Sequence, residues 1–154
     1  MDFTHFLDGN AVVADVPVAN KKALFQALAG IAERSMGLAA KDVLDRLQER
    51  ERLGTTGFGG GVAIPHGRLP GLDGIRAAFV RLVRPIDYGA IDDLPVDLVF
   101  MLLSPVDAGA DHLKALAQVS RRLRDRAFVA KLRGAGSTDA LYALFASVET
   151  RDAA

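Results

Sequence analysis

The 154-residue sequence predicts an α+β fold, an α/β/α sandwich in which a small mixed sheet carries helices on both faces. The segment Pro95–Leu103 (PVDLVFMLL) is apolar on both strand faces apart from Asp97, the pattern of a central strand covered on two sides. Apolar residues at helical spacing, such as Leu24, Leu28 and Ile31, recur before and after the strand-like runs. Helices and strands do not alternate strictly, which argues against a doubly wound parallel sheet. A chain of this length fits one domain, taken as residues 1–154.

Taken in order, Asp2 to Leu7 reads as a short helix, with His5 an ordinary surface residue. Ala11–Val18 alternates loosely, is rich in valine and contains Pro17, so it reads as an edge strand or an extended segment. Asn20 is placed to cap a helix that ends near Met36-Gly37. A second helix runs from about Ala40 to Leu53, with Gly54 as its stop. Val62–Ile64 is a short buried strand and Ile75–Val83 a longer one, while Pro85–Ala90 and Asp92-Asp93 read as turns. After the central strand, Ser104-Pro105-Val106-Asp107 breaks the run. A helix from about Gly109 to Asp125 then points Leu113, Leu116, Ala117, Ser120 and Leu123 inward. A short helix near Ala127–Leu132 and a last one from Thr138 to Val148, capped by Ser137 or Thr138, complete the chain. Thr150–Ala154 reads as a frayed end.

Composition narrows the function. Basic and acidic residues balance at 19 each, so no global field draws the chain to nucleic acid or an anionic membrane. Cysteine is absent, which excludes disulfides, thiolate metal sites and cysteine nucleophiles. No signal-like segment opens the sequence, and the longest apolar runs are too short to span a bilayer. A cytoplasmic location is expected.

The stretch Gly54–Gly67 (GTTGFGGGVAIPHG) concentrates the chemistry. Five glycines precede a short apolar run that ends in Pro65 and delivers His66 to a turn at Gly67. So many glycines carry an entropic cost, tolerated where backbone bends sharply or approaches a ligand. The dinucleotide and phosphate-loop fingerprints do not fit, because Val62 and Ile64 stand where a third glycine is needed and no Gly-Lys-Ser/Thr follows. Three widely spaced histidines give a poor metal signal, and no cofactor is expected. Pro65 stiffens the backbone before His66 and pushes Ile64 toward extended geometry, so the imidazole projects at a strand end. The glycines, with Thr55-Thr56, offer amide and hydroxyl donors to an anion. An imidazole titrates near pH 6.5 and is a competent nucleophile at neutral pH, so these parts suit phosphoryl acceptance. The bland alternative is a turn histidine without function. His112, in the first turn of its helix, is a second candidate against a plain packing role, since a helix N-terminus keeps an imidazole neutral. Arg50 continues the stripe of Val43 and Leu47 one turn before the glycines, where it also suits the helix C-terminus.

Arg50-Glu51-x-Leu53-Gly54-x-Thr56-Gly57-x-Gly59-x-Gly61-x-Ala63-Ile64-Pro65-His66-Gly67 resembles the EIIA domain of the bacterial phosphoenolpyruvate-dependent phosphotransferase system, fructose/mannitol type. The resemblance is closest to the nitrogen-related regulatory branch. It continues through Ala90-Ile91-Asp92, Pro95–Leu98, His112-Leu113-x-x-Leu116 and Leu141-Tyr142, covering about residues 5–150. It implies that His66 accepts phosphate on Nε2 from a small histidine-phosphorylated carrier protein of the HPr/NPr kind. It implies that His112 is the second active-site histidine, and that Arg50 rather than Arg52 offsets phosphate charge. Thr56 and Gly57 correspond to the loop's phosphate-binding positions. The chain departs from the family's frequent Ser-Thr-Gly-x-Gly-Asn-Gly by carrying Thr55 and Gly60, which alters the cradle but not the acceptor. The resemblance implies a phosphorylation-dependent regulator that contacts target proteins. The alternatives are a stand-alone sugar-specific EIIA passing phosphate to an EIIB domain, and a degenerate domain that only binds phosphate.

Overall fold

The computed structural model describes residues 3–147. A 3-10 turn, Phe3–His5, leads directly into strand β1, Leu7–Val16. The expected helix from Asp2 to Leu7 is therefore only that turn, and the first strand begins earlier than the valine-rich run suggests. The polar triplet Asp8-Gly9-Asn10 resembles a loop in sequence, but the register moves from Leu7–Ala77 to Val12–Phe79 and absorbs it as a bulge. Helix α1 spans Lys21–Met36, capped by the Asn20 side chain on the Ala23 amide and closed by Gly37 at φ 71°. Helix α2 spans Ala40–Arg52.

A hairpin of β2, Gly57–Gly59, and β3, Val62–Ala63, is followed by β4, His66–Leu69. The expected turn at Gly67 is thus the interior of a strand. β5 spans Arg76–Ile86 and β6 spans Val96–Pro105. β5 runs through Pro85 rather than turning there, because its register with β6 breaks between Arg81 and Ile86, where proline forfeits no ladder bond. Helices α3, Ala110–Leu123, α4, Arg126–Gly134, and α5, Thr138–Ala146, close the chain. Ser137 caps α5 through the Ala140 amide. The expected helix end at Val148 and frayed end at Thr150–Ala154 lie outside the described residues.

The sheet runs β1-β5-β6-β3-β2, with β4 also paired to β6. β1 is the edge strand the sequence suggests. β5 and β6 are antiparallel, while β3 and β4 both run parallel to β6, one after the other along its length. β3 and β4 therefore form one line of strand interrupted at Ile64-Pro65, with β2 paired outside β3 and β4 left at the edge. β6 feeds both layers: Val99, Met101 and Leu103 pack under α1 and α2, and Leu98, Phe100 and Leu102 under α3, α4 and α5. This is the two-faced burial expected from Pro95–Leu103. The α/β/α sandwich with a mixed sheet is as expected.

The inward face of α3 differs from expectation. His112, Ala115, Val119 and Leu123 are buried, whereas Leu113 is 63% exposed and Ala117 is exposed. Leu116 and Ser120 sit at the margin. Hydropathy alone places Leu113 inside. The helix is rolled because His112 is drawn in by a hydrogen bond to buried Ser104, so a polar ring takes a core position. Among the described residues no helix is long and apolar enough to cross a membrane.

Candidate active site

The break between β3 and β4 builds the site. Pro65 accepts a ladder bond from the Leu102 amide but has no N–H to donate. The Ile64 carbonyl, freed from the ladder, accepts instead from the His66 ring, Nδ1 to O 2.8 Å. A carbonyl oxygen can only accept, so Nδ1 carries the proton and Nε2 presents its lone pair. That lone pair receives the Nε–H of Arg50 at 3.1 Å. Arg50 is held in turn by the Gly54 carbonyl, 2.9 Å from Nη1. The guanidinium thus spans from the C-terminal turn of α2 to the open edge of β4. Arg52, the competing candidate, lines a separate groove with Lys21 and Lys22.

In register with Leu102, His66 shares the α3 face of the sheet, as do Arg68 and Ser104 two residues further on. The His112 ring lies 5.7 Å from that of His66, and its Nδ1 is 2.6 Å from the Ser104 hydroxyl. Both rings are neutral near pH 7. Burial, with Arg68 and His66 nearby, pushes His112 down to about 4. Burial is also the main cause lowering His66. The Arg50 charge adds to it, opposed by the Ile64 carbonyl and by Glu51. His66, His112 and Arg50, separated widely in sequence, are therefore brought together; His5 is exposed, on the N-terminal turn.

Thr56 and Gly57 are adjacent to this group, but their donors are already engaged. The Thr56 amide and hydroxyl both donate to Glu51, at 3.0 and 2.6 Å. The Gly57 amide donates to Thr55 Oγ1 at 3.1 Å. The glycines themselves answer to the hairpin more than to an anion. Gly59, Gly60 and Gly61 take φ of 108°, 67° and 82° at the β2–β3 turn. At Gly57 a Cβ would stand 2.8 Å from that of Ala90, and at Gly61 it would run into the Arg133 guanidinium. Gly60 meets nothing, so the departure from asparagine there leaves the turn intact.

Sequence reasoning missed the support beneath the loop. Glu51, its side chain 9% exposed, accepts from Lys21 Nζ at 2.7 Å, from both Thr56 donors and from the Tyr88 hydroxyl at 3.3 Å. Its carboxyl is held below the usual range: burial opposes this, and the Lys21 and Thr56 hydrogen bonds overcome it. The one available signal was its place beside Arg50 in the motif. Among the described residues no group of three metal-ligating side chains converges.

Comparison with known proteins places the chain among its relatives. The family model described as "Phosphoenolpyruvate-dependent sugar phosphotransferase system, EIIA 2" matches residues 5–148. The chain is 47% identical over 146 residues to a protein of Bradyrhizobium diazoefficiens named "Nitrogen regulatory protein", covering 95% of each. The crystal structure of nitrogen regulatory protein IIA-Ntr from Neisseria meningitidis superposes with a TM-score of 0.88 at 35% identity, covering 93% of this chain and 98% of that one. IIA mannitol from Escherichia coli shares the fold, with a TM-score of 0.72 at 18% identity over 88% of this chain and 96% of that one.

Proposed function

The chain belongs to the type-2 EIIA family of the phosphoenolpyruvate-dependent phosphotransferase system, and on that premise we propose that it is a phosphorylation-dependent regulator whose acceptor is His66 Nε2. One observation carries the choice of atom: the Ile64 carbonyl fixes the proton on Nδ1 and leaves the Nε2 lone pair as the nucleophile. In the transfer, Nε2 attacks the phosphorus of a phosphohistidine on a small carrier protein of the HPr/NPr kind. The N–P bond to His66 forms as the carrier's N–P bond breaks, and the carrier's imidazole keeps the electron pair. Nδ1–H stays on Ile64 and spreads the developing ring charge to a fixed dipole. Arg50 gives up Nε2 as the phosphoryl group arrives and turns its donors to the phosphate oxygens. His112, neutral at working pH, donates its Nε2–H to the same oxygens while Ser104 bonds Nδ1. Thr56 and Gly57 complete the anion site by exchanging Glu51 and Thr55 for phosphate oxygens. The work is positioning and charge stabilisation, with no metal in the transfer.

The carrier lands on apolar surface. Leu53 beside Arg50, Val106 after Ser104 and Leu113 after His112 are 84%, 57% and 63% exposed. Phosphate on His66 adds a net negative charge beside that surface and so changes which cytoplasmic proteins it contacts. The relatives' name, nitrogen regulatory protein, supports regulation over sugar uptake through an EIIB domain. Incubation with phosphoenolpyruvate, the first enzyme of the system and its carrier tests the acceptor. Mass spectrometry is expected to find one acid-labile phosphate, absent in His66→Ala and slower to appear in His112→Ala. Uptake that survives His66→Ala rejects the assignment.

A further inference from the structure

A second charged surface lies at the other end of β6. Residues 121–133 carry Arg121, Arg122, Arg124, Arg126, Lys131 and Arg133 against the single acid Asp125, in a chain whose formal charges sum to zero. There, α4 and the β2–β3 turn enclose a groove of about 520 Å3. Its floor is apolar, from Leu123, Val129 and Ala130, and its rim is cationic, from Arg124, Arg126 and Arg133. On α4 the positions Arg126, Val129, Ala130 and Arg133 fall at i, i+3, i+4 and i+7, one continuous face.

Two rim cations are already ordered. Arg133 grips Asp97 through Nε and Nη2, at 2.9 and 2.8 Å, and donates to the Gly60 carbonyl at 2.8 Å. Arg124 stacks over the Phe58 ring at 5.3 Å. Ordered side chains lose less entropy when a partner arrives. Arg126 is exposed and adds a charge at the far end of the stripe.

We propose that this groove docks an acidic amphipathic helix of a partner protein. The match is one of charge and shape: carboxylates two turns apart, roughly 10 Å at 1.5 Å per residue, meet Arg126 and the Nη1 of Arg133 that Asp97 and Gly60 leave open, while an apolar side chain between them covers Val129 and Ala130. Nucleic acid fits less well, because the floor is aliphatic and the aromatic ring beside it, Phe58, is covered by Arg124. Val62 pairs with Leu98 and His66 with Leu102, so groove and acceptor are separated by four residues of strand, roughly 13 Å. The surface does not require His66 to be phosphorylated.

The test is a titration of 15N-labelled full chain with a short helical peptide carrying Glu at i and i+7 around a central Leu. Amide shifts are expected at Gly60, Leu123–Arg126 and Val129–Arg133. Affinity should fall about tenfold in Arg126→Glu, less in Arg126→Gln, and should weaken with added salt. Circular dichroism and phosphate uptake of Arg126→Glu should match the parent, which separates this groove from the acceptor site. Four results overturn the proposal: no shifts at saturating peptide, equal shifts with Lys in place of Glu, unchanged affinity in both Arg126 variants, or tighter binding of a single-stranded oligonucleotide at the same amides.

Discussion

At His66 the neighbours give the two ring nitrogens opposite roles, and at His112 burial keeps the ring neutral. Both effects leave a trace in stability. An unfolded chain takes up a proton on His112 as the pH drops below 6.5, whereas the folded protein resists until about 4. The unfolded state binds more protons in that window, so stability present in full above 6.5 is lost as the pH falls toward 4. The lowered His66 acts with the same sign. Replacing His112 with Asn, which can still bond Ser104, is expected to flatten the pH dependence of the urea midpoint between pH 7 and 5; an unchanged slope contradicts a buried neutral ring. Glu51 governs a different quantity. Its carboxylate takes charge-assisted bonds from Lys21 and neutral ones from Thr56 and Tyr88, so Glu51→Gln should cost about 2 kcal/mol in urea unfolding. Lys21→Met should cost less, since Lys21 is 31% exposed. Equal costs would show that the salt bridge alone, and not the loop anchor, accounts for Glu51.

Between elements, the glycine hairpin separates two reasons for glycine that look alike in sequence. Gly57 is fixed by packing, because a Cβ there would press on Ala90 and Tyr88; Gly60 is fixed only by its backbone, at φ 67° with nothing within 4 Å. Gly57→Ala is therefore expected to lose about 2–3 kcal/mol by overpacking. Gly60→Asn should lose under about 1 kcal/mol, since asparagine tolerates the left-handed region. Thermal melts of the two variants decide this, and a reversed order would refute the packing account. The same contrast explains what was legible beforehand. Asn20, Gly37 and the two-faced run Pro95–Leu103 carry their meaning within a few residues, and the elements they mark are found, although β6 continues through Ser104-Pro105, where a break is expected. β4 was not legible, because His66-Gly67-Arg68-Leu69 has no alternation and pairs only through Leu102 to Pro105, distant in sequence. The roll of α3 was hidden for a similar reason: it depends on Ser104 meeting His112 across a loop. The site was half visible. His66, His112 and Arg50 show as types in a pattern, whereas Lys21, Glu51 and Tyr88 become a unit only when α1, α2 and the loop after β5 meet.

Across the whole molecule, charge is balanced in sum but not in place. The formal net charge is zero and the sequence pI about 6.8, yet cations crowd the α3–α4 corner at the start of β6 while the proposed acceptor stands toward its end. A phosphoryl group on His66 would leave the chain with a net negative charge and a field running along the central strand, positive at one end and negative at the other. A neutral protein is the most sensitive background for such a change, because one group takes the net charge from zero to negative. Isoelectric focusing after incubation with the phosphoenolpyruvate relay should therefore resolve a second band clearly below pH 6.8, in proportion to the phosphate found by mass. Brief acid and heat should return it to the first band, because a phosphohistidine N–P bond is acid-labile and a phosphoserine or phosphothreonine is not. His66→Ala should focus as a single band throughout. An acid-stable acidic band, or one that persists in His66→Ala, would place the phosphate on a hydroxyl and remove His66 from the centre of the mechanism.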